Sequence, residues 1–138
     1  MFFVGAGNLL LAMAWWAAWL GALRWPLAQM PQPSPYAGWL HAFIMQYQVL
    51  PSFIFGFLLT TFPKWMGQPE FERWRYAPIG VGIFGGQIAT LLGAIGWEAG
   101  IVVGLFMTMA GWLAGLLTLG PLLWRERGTT WHARSCFA

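Results

Sequence analysis

Tyr36-Ala-Gly-Trp-Leu-His-Ala-Phe-Ile-Met-Gln-Tyr-Gln-Val-Leu-Pro-Ser-Phe-Ile-Phe-Gly-Phe-Leu-Leu-Thr-Thr-Phe62 contains no Asp, Glu, Lys or Arg. It is longer than the roughly 20 residues a helix needs to cross a hydrocarbon core. Three more segments of this kind flank it, and together they run from about Phe2 to Leu23, Ala37 to Phe62, Ala77 to Ile95 and Ile101 to Trp124. None contains Asp, Glu, Lys or Arg, and the lone histidine among them is His41. Backbone groups in lipid must be satisfied within their own segment, so each reads as a helix. The runs are too long for barrel strands and lack their alternation. The sequence predicts an all-α, polytopic membrane protein: a single membrane domain over residues 1–138, built as a bundle of four transmembrane helices.

Composition agrees. Of the 138 residues, 59% are hydrophobic and only 8% charged, with a mean hydropathy of +0.60. Soluble domains carry about 25% charged residues. Eleven tryptophans suit rings that anchor at membrane interfaces. The net charge of +3 does not indicate nucleic acid, because the basic residues lie in short connections and form no patch with interleaved aromatics. Those residues give an orientation instead. Lys64, Arg73 and Arg75 lie between the second and third segments, and Arg125, Arg127 and Arg134 follow the fourth. Four spans put both groups on one side, which the positive-inside rule assigns to the cytoplasm together with both termini. Residues 125–138 then form a short cytoplasmic basic tail, while Arg24, His41 and Glu98 lie toward the outer face. The first segment has no basic n-region and is longer than a signal-peptide core, so it reads as a retained span. Gly96-Trp97-Glu98-Ala99-Gly100 is a short link that implies an antiparallel hairpin of the third and fourth helices. The lone Cys136 cannot form an internal disulfide.

The second span holds what chemistry there is. On a helical wheel His41, Met45, Gln48, Ser52 and Gly56 fall in one stripe. Imidazole and thioether are both plausible metal or heme ligands, so His41 and Met45 are the candidate cofactor-binding residues, with His41 the metal candidate. Polar groups in a span usually face the bundle or a cavity; the plainer alternative is an interfacial histidine above a helix-packing stripe. Pro51 offers no N–H to the Tyr47 carbonyl, which predicts a kink and a freed carbonyl. Elsewhere the signals are structural. Gly82 and Gly86, Gly100 and Gly104, and Gly111 and Gly115 each have the G-x-x-x-G spacing that lets helices approach closely. Gln87, Thr90, Thr108 and Thr118 are expected to hydrogen-bond between helices or back to their own backbone. No phosphate loop, nucleophile–base arrangement or intramembrane carboxylate pair is visible, so no catalytic residue is assigned.

Leu40-His41-Ala42, followed by Gly56-Phe57-Leu58-Leu59-Thr60-Thr61-Phe62-Pro63-Lys64-Trp65-Met66-Gly67, resembles the NnrS family of bacterial membrane proteins. In that family the second span is similar to W-H-x-H-E-M at its start and G-F-L-L-T-A-x-P-x-W-x-G at its end. Phe2-Phe3 and Ala-Met-Ala-Trp-Trp-Ala-Ala-Trp-Leu over Ala12–Leu20 resemble the family's first helix. The likeness is close over residues 2–95 and looser beyond, and it falls on the N-terminal third of longer members. The chain therefore reads as a truncated or divergent member. The resemblance implies a multi-pass protein of the bacterial inner membrane, linked to nitric oxide metabolism or nitrosative stress, with heme or copper as cofactor. Phe43 and Ile44 stand where the family has a second histidine and a glutamate; His41 and Met45 remain. Expected partners are the lipid bilayer and a second copy or other membrane subunits, with no nucleic acid. Two other readings stay open: a small transporter or channel subunit, and a structural membrane-assembly subunit.

Overall fold

The computed structural model describes residues 1–25 and 30–125. Part of the first linker, and the tail with Arg127, His132, Arg134 and Cys136, lie outside the described residues. Helix α1 spans Phe2–Arg24; α2, Ala37–Ile44, runs through a π-helical turn, Met45–Val49, into α3, Leu50–Trp65; α4 is Ala77–Ala94 and α5 is Ala99–Arg125. A short 3₁₀ turn, Arg73–Arg75, precedes α4. Because α2, the π turn and α3 are continuous, the described residues form four helical rods, each long and apolar enough to span a membrane. The protein is an all-helical, multi-pass membrane protein, with no strand among the described residues.

Its outer surface fits that solvent. Phe3, Leu10, Trp39, Phe106 and Leu117 are all exposed, a surface that lipid tails cover at no cost. Inside, apolar residues form two larger clusters. One joins Trp15 and Trp19 of α1 to Leu40, Ile44 and Val49. The other joins Phe55 and Leu59 of α3 to Ile79, Ile83 and Leu119. A smaller cluster of Phe62, Met66 and Leu122 closes the end near the basic loop.

The tightest contact is the hairpin of α4 and α5. A Cβ placed on Gly82 would lie 2.5 Å from Gly111 Cα, and one on Gly93 would lie 2.5 Å from the Ile101 nitrogen. A Cβ on Gly86 would meet the Thr108 hydroxyl at 2.5 Å and the Gly104 carbonyl at 2.9 Å. Positions rise along one helix as they fall along the other, so the pair is antiparallel. Gly100 meets the Ala89 carbonyl in the same way, and Gly115 faces the Phe55 ring of α3. In lipid no hydrophobic force drives two helices together, so close backbone approach and its dispersion energy take that part.

Two glycines work through conformation instead. Gly96 has φ 132°, and the Trp97 N–H beyond it returns to the Leu92 carbonyl at 3.1 Å. Gly67 has φ 61°, and the Gln68 N–H returns to Pro63 at 2.8 Å. Both are Schellman-type ends, in which a left-handed residue lets the chain leave a helix while capping its last carbonyls. The second explains the glycine that ends the Pro63-Lys64-Trp65-Met66-Gly67 motif. Beyond it, the loop is held by an exposed Lys64–Glu70 ion pair at 3.2 Å and by Arg75 over the Phe71 and Trp74 rings at 5.8 and 5.4 Å.

Gly82→Ala should destabilise the protein by about 1–3 kcal/mol, the usual range for overpacking, because the Gly111 backbone cannot rotate away. Gly21→Ala, which meets nothing within 4 Å, should not. Thermal unfolding in detergent distinguishes the two, and equal midpoints would show that the α4–α5 contact is not the tight one.

Candidate functional site

His41, Ser52 and Gly56 of the polar stripe lie against α1, while the Gln48 side chain turns to α4 and α5. Near the start of the stripe the His41 ring stacks on Trp16, with centroids 4.4 Å apart and planes 12° from parallel. Trp16 in turn stacks on Trp19 at 5.5 Å. Further along, Asn8 reaches Ser52 and the Gln48 carbonyl, and Gly56 lies against Met1 and Phe2. The two helices are antiparallel, so α1 lays its Trp-rich end against the histidine.

His41 is half-buried; its Nδ1 is fully enclosed and has no hydrogen-bond partner among the described residues. Stacking fixes the ring plane but leaves that nitrogen unsatisfied. Met45, one turn on, is also half-buried and packs against the Trp15–Leu40 cluster. Ile44 is fully buried in that cluster, and Phe43 tilts against Tyr47 at 5.4 Å. These two positions therefore serve packing, where the family resemblance implies polar ligands. No group of three or more His, Cys, Asp or Glu converges among the described residues.

Between the two large apolar clusters lies a layer of uncharged polar side chains, all buried: Asn8, Gln48, Ser52, Gln87, Thr90 and Thr108. Gln48 is its hub. Its Nε2 donates to Thr90 Oγ1 and to Thr108 Oγ1, each at 3.0 Å. Those hydroxyls donate back to Gly86 and Gly104 at 2.8 and 2.7 Å, so one amide ties the π turn to both arms of the glycine hairpin. Ser52 Oγ donates to the Gln48 carbonyl at 2.7 Å and accepts from Asn8 Nδ2 at 3.0 Å. Gln87 Nε2 donates to the Asn8 carbonyl at 2.6 Å. Interhelical bonds of this kind contribute on average about 0.6 kcal/mol each in a membrane, whereas an enclosed polar atom left unpaired costs about 1–3 kcal/mol. Register is what the layer imposes. Thr118 bonds back to Ala114 at 2.7 Å and takes no part.

The π turn explains how the chain passes Pro51. The Leu50 N–H bonds to the Met45 carbonyl, five residues back, so the chain takes up one extra residue in the turn before the proline. The Tyr47 carbonyl, which loses the Pro51 N–H, accepts instead from the Trp112 indole of α5 at 3.1 Å. Pro63 repeats the arrangement. It has no N–H for the Leu59 carbonyl, and the Tyr76 hydroxyl donates there at 3.4 Å. Pi turns recur at functional sites; this one presents Gln48 to the bundle centre. An apolar groove of about 410 Å³ lies beside it, walled by Phe43, Tyr47, Leu105, Met109, Trp112 and Leu116. It contains neither His41 nor Met45.

Asn8, Trp16, Trp112 and Tyr76 did not stand out in the sequence. Asn8 is the one side-chain amide in the first span, a signal that could have marked it. Trp16 and Trp112 are hidden among other tryptophans, and only the helix pairing selects them.

Fold and site together define a multi-pass membrane protein, with four spans among the described residues, whose rods are locked by an uncharged polar layer with a stacked histidine to one side of it. The chain belongs to the NnrS family: the family model described as NnrS protein matches residues 1–138. The match thus extends over the part of the chain where the sequence likeness is looser. No curated protein and no solved structure matches it.

Trp112→Phe should cost about 1 kcal/mol by leaving the Tyr47 carbonyl without its donor. In a Pro51→Ala background, where the backbone N–H returns, the same change should cost less. A double-mutant cycle by chemical unfolding should give a coupling above about 0.5 kcal/mol, and strict additivity would remove Trp112 from this role.

Proposed function

We propose that this protein serves in the bacterial inner membrane in the response to nitric oxide, through a copper ion held by His41 and Met45. The family match supports the setting, and one observation carries the site: the enclosed, unpartnered Nδ1 of His41 beside a thioether one turn away. Imidazole with thioether is a soft donor set that suits copper(I). When bound, the ion would supply a redox-active centre open to a small diatomic ligand. Heme is the second cofactor these residues could hold: with His41 the one histidine among the described residues, heme would need Met45 as partner, an open coordination position or a second chain. Stacking on Trp16 holds the imidazole plane, and the Trp15–Leu40 cluster limits water at Met45. Any further ligands would come from a second copy or another membrane subunit.

Protein purified in mild detergent should carry copper, and His41→Ala should lower its affinity by more than about tenfold, since even loss of a supporting hydrogen bond costs that much. Met45→Leu should weaken it less. Wild-type protein with neither copper nor a Soret band would sink the cofactor reading. A Soret band lost in His41→Ala would replace copper by heme at the same residue.

In the proposed orientation the Lys64–Arg75 loop is cytoplasmic and the Gly96–Gly100 link faces outward. With Cys136→Ser as background, an impermeant maleimide should label Glu98→Cys but not Gln68→Cys in intact spheroplasts. The reverse pattern would invert the topology.

A further inference from the structure

Arg73 opens the 3₁₀ turn ahead of α4 and is the first residue of the third span. Trp65 and Trp74 of the same loop are both exposed, as rings are in the headgroup layer. The Arg73 guanidinium has no partner among the described residues. Both carboxylates of the loop are committed elsewhere, Glu70 to Lys64 and Glu72 to the Trp74 indole, while Arg75 lies over Phe71 and Trp74. From Arg73 a groove of about 370 Å³ runs between the start of α1 and the start of α4. Met1 and Val4 line it from one helix, and Ala77, Val81 and Phe84 from the other. A Cβ on Gly80 would lie 3.6 Å from Val4 and 3.7 Å from Met1, and one on Gly7 would lie 3.2 Å from the Phe84 ring, so the two helices meet behind the groove. Ala77 and Phe84 are seven positions apart on α4, about 10 Å along the helix, or roughly a third of the hydrocarbon core.

We propose that this groove holds one acyl chain of an anionic phospholipid, with Arg73 at its phosphate. The groove is apolar toward the bilayer centre and carries an unpaired cation at its headgroup end, the polarity of such a lipid. A guanidinium suits the phosphate because its planar fork donates two bonds at once. The groove beside the π turn has no charged residue on its walls and offers a lipid head nothing to hold. A second copy of this chain fits Arg73 less well. Its spans bring no Asp or Glu, and apolar side chains laid over Arg73 would enclose a charge without a partner. A free anion would leave the apolar length of the groove unused. Basic residues at a membrane surface attract anionic lipids in general; here the groove gives the chain a fixed place, so one lipid is held rather than many gathered. The lipid belongs to the leaflet on the side of the basic loop.

Phosphatidylglycerol with a photoreactive group on one acyl chain tests this, using the full chain in phosphatidylcholine nanodiscs. Crosslinks should map to Val4 and to Val81 or Phe84. Arg73→Gln should lower their yield about fivefold, the change that one basic residue near an anionic surface carries. Arg75→Gln, outside the groove, should change it little. Ala77→Trp alters an exposed position on the groove and should block crosslinking with the thermal midpoint unchanged. A phosphatidylcholine probe bearing the same chain should crosslink less than phosphatidylglycerol, and equal yields would overturn the anionic head. Crosslinks spread over all four spans, or equal losses in Arg73→Gln and Arg75→Gln, would show lipid gathered by loop charge alone and overturn the site.

Discussion

Inside a bilayer a backbone carbonyl without a donor has no water to turn to, and this constraint organises the second span and its neighbours. Pro51 and Pro63 each remove a donor from the same rod. In both cases an aromatic side chain from outside that rod supplies the replacement, Trp112 of α5 for Tyr47 and Tyr76, which caps the start of α4, for Leu59. The defects in one helix thereby become its attachments to two others. Proline is tolerated because its cost is met between helices, and neither aromatic residue is then free to be only an interfacial anchor.

The polar layer and the glycine hairpin work as one unit. Gly86 and Gly104 let α4 and α5 come close enough for Thr90 and Thr108 to stand side by side, and only then can a single Gln48 amide bond to both. Glycine contact alone specifies closeness but tolerates sliding by a turn. A forked hydrogen bond does not. Dispersion and polar bonding thus divide the task, the first giving proximity and the second register.

Much of the fold was legible in the sequence because the solvent is written in composition: four long uncharged runs admit little besides four spanning helices. At Pro51 a π turn precedes the ring, a second element that, like proline, bends helices, and residue type alone did not signal it. The threonines and Gln87 were legible as bonding groups but their partners were not, because partners depend on which helices pack together. Asn8 went unread among apolar neighbours, though it closes the layer from the α1 side. At Phe43 and Ile44 the departure from the family pattern was visible at once, and their packing against Tyr47 and within the Trp15–Leu40 cluster gives it a physical meaning.

The extra residue of the π turn also sets a phase. Everything before Met45 is rotated relative to α3 by the angle that one residue adds, about 100° in a regular helix. A chain one residue shorter between Met45 and Val49 would keep its spans, its hydropathy and its basic loop. Its histidine, however, would swing off Trp16 toward a different neighbour. A change of length at this one turn would therefore re-aim the imidazole without rebuilding the bundle.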